Sequence, residues 1–122
     1  MKIYENNFDA MRELMFVIEE QPNSIDVNQV VFDARLERFD KNELGYAIEK
    51  LIESNLLNGQ VGKSKTGTQL LIHSISLEGH QFIDAIRQDT VWNKTKETAS
   101  KVGAATIREI GSIVFGSVKE LF

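Results

Sequence analysis

Asn55-Leu56-Leu57-Asn58-Gly59-Gln60-Val61-Gly62-Lys63-Ser64-Lys65-Thr66-Gly67-Thr68-Gln69-Leu70-Leu71-Ile72-His73-Ser74-Ile75 is the stretch whose reading decides the fold. Asn55 suits the left-handed position just past a helix, where glycine and asparagine are favoured. The segments 56–62 and 69–76 are extended in character and flank the polar turn Lys63–Thr68, so they predict a β-hairpin. A helix, a left-handed asparagine, a Leu-Leu pair and a hairpin, in that order, are what a winged helix requires. No single piece is specific; the order is.

Upstream, Asp40-Lys41-Asn42-Glu43 reads as a capping box that opens a helix with Leu44, Ala47, Ile48, Leu51 and Ile52 inward. Its outward side offers Lys41, Asn42, Tyr46, Glu49, Lys50 and Glu53. Further back, Phe8, Met11, Leu14, Met15 and Ile18 recur at helical spacing and stop before Gln21-Pro22-Asn23. Between these helices the chain reads two ways. Val30, Phe32, Ala34 and Leu36 alternate with polar or outward positions as in a strand, while Val27, Val30, Val31 and Ala34 fit a short helix capped by Asp26. The alternation and the β-branched residues tip the expectation toward a strand over residues 28–36.

Beyond the hairpin, Ser76 caps an expected helix over 77–88 with Leu77, Phe82, Ile83 and Ile86 inward. Asp89-Thr90 opens another with Val91, Trp92, Thr95, Ala99 and Val102, ended by Gly103. Ile107, Ile110, Val114, Val118 and Leu121 form one stripe of a last amphipathic helix. The expected fold is mainly helical α+β: a winged-helix-like domain (helix, short strand, helix, hairpin wing) over residues 1–76. Helices of 77–122 extend it and pack on that core without forming a separate domain.

Composition narrows the function classes. The 122 residues are 42% hydrophobic and 26% charged, which is ordinary for one globular domain. There is no cysteine, which excludes disulfides, thiolate zinc sites and cysteine nucleophiles. The first residues lack an apolar signal core and no stretch is long enough to span a bilayer, so a cytoplasmic protein is expected. Net charge is −4, unevenly spread: residues 1–60 hold 6 Lys and Arg against 12 Asp and Glu, and residues 61–122 hold 8 against 6. A phosphate-gripping protein usually carries a basic face, because neutralising phosphates supplies most of its affinity. Here the helix that would enter a groove lies in the acidic half.

The block Leu77-Glu78-Gly79-His80-Gln81-Phe82-Ile83-Asp84-Ala85-Ile86-Arg87-Gln88-Asp89-Thr90-Val91-Trp92-Asn93-Lys94 resembles domain-of-unknown-function family 2513, found largely in phages and prophages. The helix Glu43–Ile48 through Asn55-Leu56-Leu57 is similar to the family's second block, with Asn55 in place of its usual glycine. The resemblance spans roughly residues 1–120 and implies a winged-helix-like fold, a phage or mobile-element setting and no catalytic residues.

Each chemical constellation has a plain structural alternative. Glu78, His80 and Asp84 sit on one helix, but only His80 and Asp84 share a face, so hydrogen bonding outweighs metal or acid–base work. Gly79 near a helix start is explained by close approach of another backbone, the hairpin above all. Arg87 has Asp84 and Asp89 as partners within reach. No catalytic, metal or cofactor set is visible. For nucleic acid, Lys63 and Lys65 on the wing lead, with Lys41, Asn42 and Tyr46 on the helix before it. Trp92, with Ile107, Ile110, Val114 and Val118, is the candidate interface, although a lone tryptophan in a small chain favours burial. A homodimer would form through those C-terminal helices. Two functions stand nearly level: a DNA-binding transcriptional regulator, named first, and a module that binds or inhibits a host or phage protein.

Overall fold

Asn7 opens the first helix: its side chain accepts from the Ala10 amide, satisfying one of the donors that every helix start leaves free. The computed structural model describes residues 7–21, 25–102 and 109–114. Helix α1 (Phe8–Glu19) buries Met11, Leu14, Met15 and Ile18 of the expected stripe together with Ala10 and Val17, while Phe8 is half-buried. Gln21 follows it, and Pro22 and Asn23 lie outside the described residues.

Residues 28–36 are not a strand. Asp26 accepts from the amides of Asn28 and Gln29 and caps a short helix, α2 (Val27–Val31). Asp33 then caps a single 3-10 turn, Ala34–Leu36, by accepting from the Arg35 amide. The alternation that favoured a strand is not a burial pattern: Val30 and Leu36 are buried, but Phe32 is 71% exposed. Two aspartates at cap spacing compete for the backbone more effectively than β-branched side chains do. Extended pairing survives as one bridge, Ile25 to Ile72.

Asp40 caps α3 (Lys41–Glu53) by accepting from the Asn42 amide, Glu43 accepts from the Asn7 side chain at 2.6 Å, and the five residues expected inward, Leu44, Ala47, Ile48, Leu51 and Ile52, are buried. Asn55 ends it at φ 62°, the left-handed conformation its side chain tolerates. Strands β1 (Leu57–Ser64) and β2 (Gly67–Ile75) pair antiparallel from Leu57–Ile75 to Ser64–Gly67. The register shifts between Asn58 and Gly59. There a Cβ on Gly59 would stand 2.1 Å from the Leu71 carbonyl oxygen, so only glycine fits.

Ser76 leaves the hairpin and caps α4 (Leu77–Ile86), accepting from the Gly79 amide at 2.9 Å while its hydroxyl donates to the Asn55 carbonyl at 2.6 Å. One serine thus ties the end of α3 to the start of α4. Gly79 is the expected close approach: a Cβ there would lie 2.0 Å from the Leu56 carbonyl oxygen and 2.7 Å from Ile75 Cγ2. Leu77, expected inward, is 73% exposed, because the first helical residue points away from the packed side. Helix α5 (Asp89–Val102) follows, burying Val91, Trp92, Thr95 and Ala99. Residues 109–114 are helical.

The described residues form a mainly helical α+β fold with one two-stranded hairpin. One hydrophobic cluster joins α1, α3 and α4 to Leu57 and Ile72 of the hairpin, and also takes in Trp92, Ala99, Ile110 and Val114. Among the described residues no helix is long and apolar enough to cross a membrane.

Candidate functional site

Of the five residues expected to meet nucleic acid, Lys41, Asn42 and Tyr46 of α3 border one groove with Thr68 and Leu70 of the hairpin, and Lys63 reaches Glu49 in it. Lys41 is exposed, yet its ammonium donates to the Val31 carbonyl and sits 4.7 Å from the centre of the Phe32 ring. Its charge therefore completes the end of α2, where unpaired carbonyls favour a cation. Asn42 is exposed, its backbone amide held at 2.7 Å by the Asp40 carboxylate. Tyr46 is half-buried with the Lys50 ammonium 5.2 Å over its ring, and Lys50 pairs in turn with Glu53 at 3.0 Å. The hydrogen bond and charge of Glu53 hold the Lys50 ammonium above its ordinary pKa.

On the hairpin, Lys63 reaches back to α3, placing Nζ 2.6 Å from Glu49 Oε1. Glu49 is the surprise of this face. Its place on the outward side of α3 predicted a solvated carboxylate, but the hairpin closes over it and it is 8% exposed. The nearest legible signal was its position beside Ala47 and Ile48, at the edge of the apolar arc that the hairpin covers. Lys65, at the turn, is exposed and makes no ion pair among the described residues. Of the lysines gathered here, Lys50 and Lys63 are countered by carboxylates of the same face.

Of the candidate interface residues, those described lie in the core, the placement favoured for the lone tryptophan. Trp92 is 2% exposed, and Ile110 and Val114 are fully buried within the chain; Ile107 and Val118 lie outside the described residues. Trp92 packs rather than presents. Its indole N–H donates to Asp9 Oδ1 at 3.1 Å, and the Arg12 guanidinium lies 5.7 Å from its ring centre. Lys96 reaches the same Asp9 oxygen at 3.1 Å. Burial pushes the Asp9 carboxyl up, but these two hydrogen bonds outweigh it and hold the group below the usual carboxylate range.

Arg12 is the residue that sequence reading missed. Its Nε and Nη2 both donate to the Ile86 carbonyl, at 3.0 and 2.8 Å, and Nη2 also meets Asp89 at 2.9 Å. One guanidinium thereby caps the end of α4 and fixes the start of α5. Arg87, expected to pair with Asp84 or Asp89, pairs chiefly with Glu19 of α1 at 2.7 Å and more loosely with Asp84 at 3.5 Å. Glu78, His80 and Asp84 are exposed along α4, and no metal-capable group of three or more such side chains occurs among the described residues.

Residues 5–105 match the family described as "Hypothetical protein (DUF2513)". An "Uncharacterized protein" of Haemophilus influenzae is 26% identical over 94 residues, covering 77% of each chain. No solved structure matches this chain.

Proposed function

Since this chain belongs to the family described as Hypothetical protein (DUF2513), a description that names no activity, we propose from its surface that it is a non-catalytic protein-interaction module. It works in the cytoplasm, in a phage or mobile-element setting, through the face of α3 and the hairpin. The scaffold is read as winged-helix-like: three α-helices and one 3-10 turn precede a two-stranded hairpin, and Ile25 bridges to β2 in the place of a third strand.

One observation carries the choice of partner class. Two of the four lysines that a groove-reading face would spend on phosphates are matched by carboxylates, Lys63 by Glu49 and Lys50 by Glu53, and Lys41 is engaged by the Val31 carbonyl. A duplex would have to break those pairs and then accommodate the carboxylates, which offsets the counterion release that drives such binding. A protein surface carries no such penalty. The exposed Phe32, 71% accessible beside Lys41, adds an aromatic contact of the kind enriched at protein interfaces.

Site-specific photo-crosslinking in the host cell tests this. Crosslinker at position 32 or 42 should capture one discrete protein, and crosslinker at position 97 on α5 should not. Equal capture from all three positions, or none, ends the proposal.

A DNA-binding regulator is the second reading, supported by α2. Residues 27–31 being helical leaves a helix pair, α2 and α3, ahead of the hairpin, as a groove-reading motif needs. Retardation of duplex DNA at low salt, reduced in Lys65→Ala and Lys41→Ala, would move the conclusion to that reading. A homodimer through the C-terminal segment is the weaker proposal, since Ile110 and Val114 are already buried; sedimentation of the full chain as a monomer removes it.

A further inference from the structure

Three glycines on this side of the molecule differ in what they are for. Gly59 and Gly79 are forced by backbone carbonyls that a Cβ would strike. Gly45 is not: a Cβ there would meet only Leu70 Cδ1, at 4.0 Å, an ordinary contact. Glycine is the poorest ordinary residue for a helix interior, and Gly45 stands inside α3 with no packing reason for its bareness. It lies in a groove between α3 and β2, bordered by Lys41, Asn42, Tyr46, Glu49 and Leu70.

The same groove holds the one buried carboxylate of this face. Glu49 Oε1 is shut off from solvent and has no hydrogen bond of good geometry. Lys63 Nζ stands 2.6 Å away as a counter-charge, but outside the angles of a directed hydrogen bond, on a side chain that is 66% exposed. An enclosed carboxylate without directed donors is costly, and a mobile surface lysine is a replaceable companion for it.

Building on the protein-binding reading, we propose that this groove receives an arginine side chain of a protein partner. The Glu49 carboxylate accepts the guanidinium N–H groups, Gly45 is the bare floor beside which the partner's chain passes, and Lys63 is displaced. Arginine suits the site better than lysine, because its planar fork meets both carboxylate oxygens and sheds water more readily. Its flat face also stacks on an aromatic ring, and Tyr46 already has a cation over its ring in Lys50.

Amide NMR of the full chain titrated with N-acetyl-arginine amide is the test, with N-acetyl-norleucine amide as control. Saturable shifts at Gly45, Tyr46 and Thr68 are expected with the arginine probe alone. Glu49→Gln should weaken that binding about tenfold, the loss of one charged hydrogen-bonded contact. Lys63→Ala, which removes the internal competitor and keeps the carboxylate, should tighten it. Indistinguishable responses to the two probes, an unaffected Glu49→Gln, or weaker binding in Lys63→Ala would each overturn the proposal. Lys63→Ala keeps the question decidable if Glu49→Gln does not fold. Crosslinks from positions 32 and 42 without a saturable arginine site would leave the protein-binding reading standing and this inference refuted.

Discussion

The two charged faces of this molecule use the same residue types to opposite ends. Where α4 and α5 dock on α1, charged and polar groups bridge positions far apart in the chain. Arg12 reaches the Ile86 carbonyl and Asp89, Asp9 holds Trp92 and Lys96, and Glu19 holds Arg87. On the face of α3 and the hairpin the pairs are shorter-range: Lys50 with Glu53 one turn away, and Lys63 with Glu49 across one strand. The first set assembles tertiary structure. The second discharges a surface and leaves one carboxylate enclosed. Charge therefore points to the proposed binding face only where it is not already committed to docking helices.

The strongest way to break the docking side is Trp92→Ala. It removes a buried indole and one of the two side-chain hydrogen bonds to Asp9, and should lower unfolding free energy by about 3–5 kcal/mol in denaturant titration. A loss under about 1 kcal/mol would mean that α5 contributes little to the core. Gly79→Ala comes next, at about 1–3 kcal/mol or more, because its Cβ would meet the Leu56 carbonyl oxygen and force α4 away from the hairpin.

Gly45→Ala sharpens the contrast, since it should raise stability by about 0.5–1 kcal/mol in the same assay. A destabilised Gly45→Ala would show that the groove floor is needed for folding after all. The smallest effect belongs to Asp9→Asn. Asp9 has a folded-state pKa below the ordinary value of 3.8, so its charge stabilises the fold above that pH. That contribution fades as pH falls through 3.8 and below. The side chain is 48% exposed and screened, so Asp9→Asn should cost under about 1 kcal/mol at neutral pH. Its stability should fall less steeply between pH 5 and 3 than that of the parent chain, and equal slopes would exclude the role given to this charge.

Much of the fold was legible residue by residue. The stripe from Phe8 to Ile18, the Asp40 cap, the left-handed Asn55, the hairpin and the Ser76 cap are local signals, carried by side-chain spacing or by a residue's own backbone preference. Residues 28–36 misled because alternation and helical spacing overlap in so short a run, and two aspartate caps decided between them. The candidate site was legible in part. Lys41, Asn42 and Tyr46 border one groove beside the hairpin and Lys63 reaches into it, a proximity that helix and hairpin order suggested.

What the sequence by itself determined, residues 28–36 apart, is which segments are helices, about where they start and stop, and most of the apolar side of each. These depend on interactions within a few residues. Only the tertiary structure decided that Glu49 is enclosed, that Lys63 is paired, that Trp92 is core, and that Gly79 is forced while Gly45 is not. Each of those depends on what another segment brings within a few ångströms. Spacing along the chain carries no record of that distance.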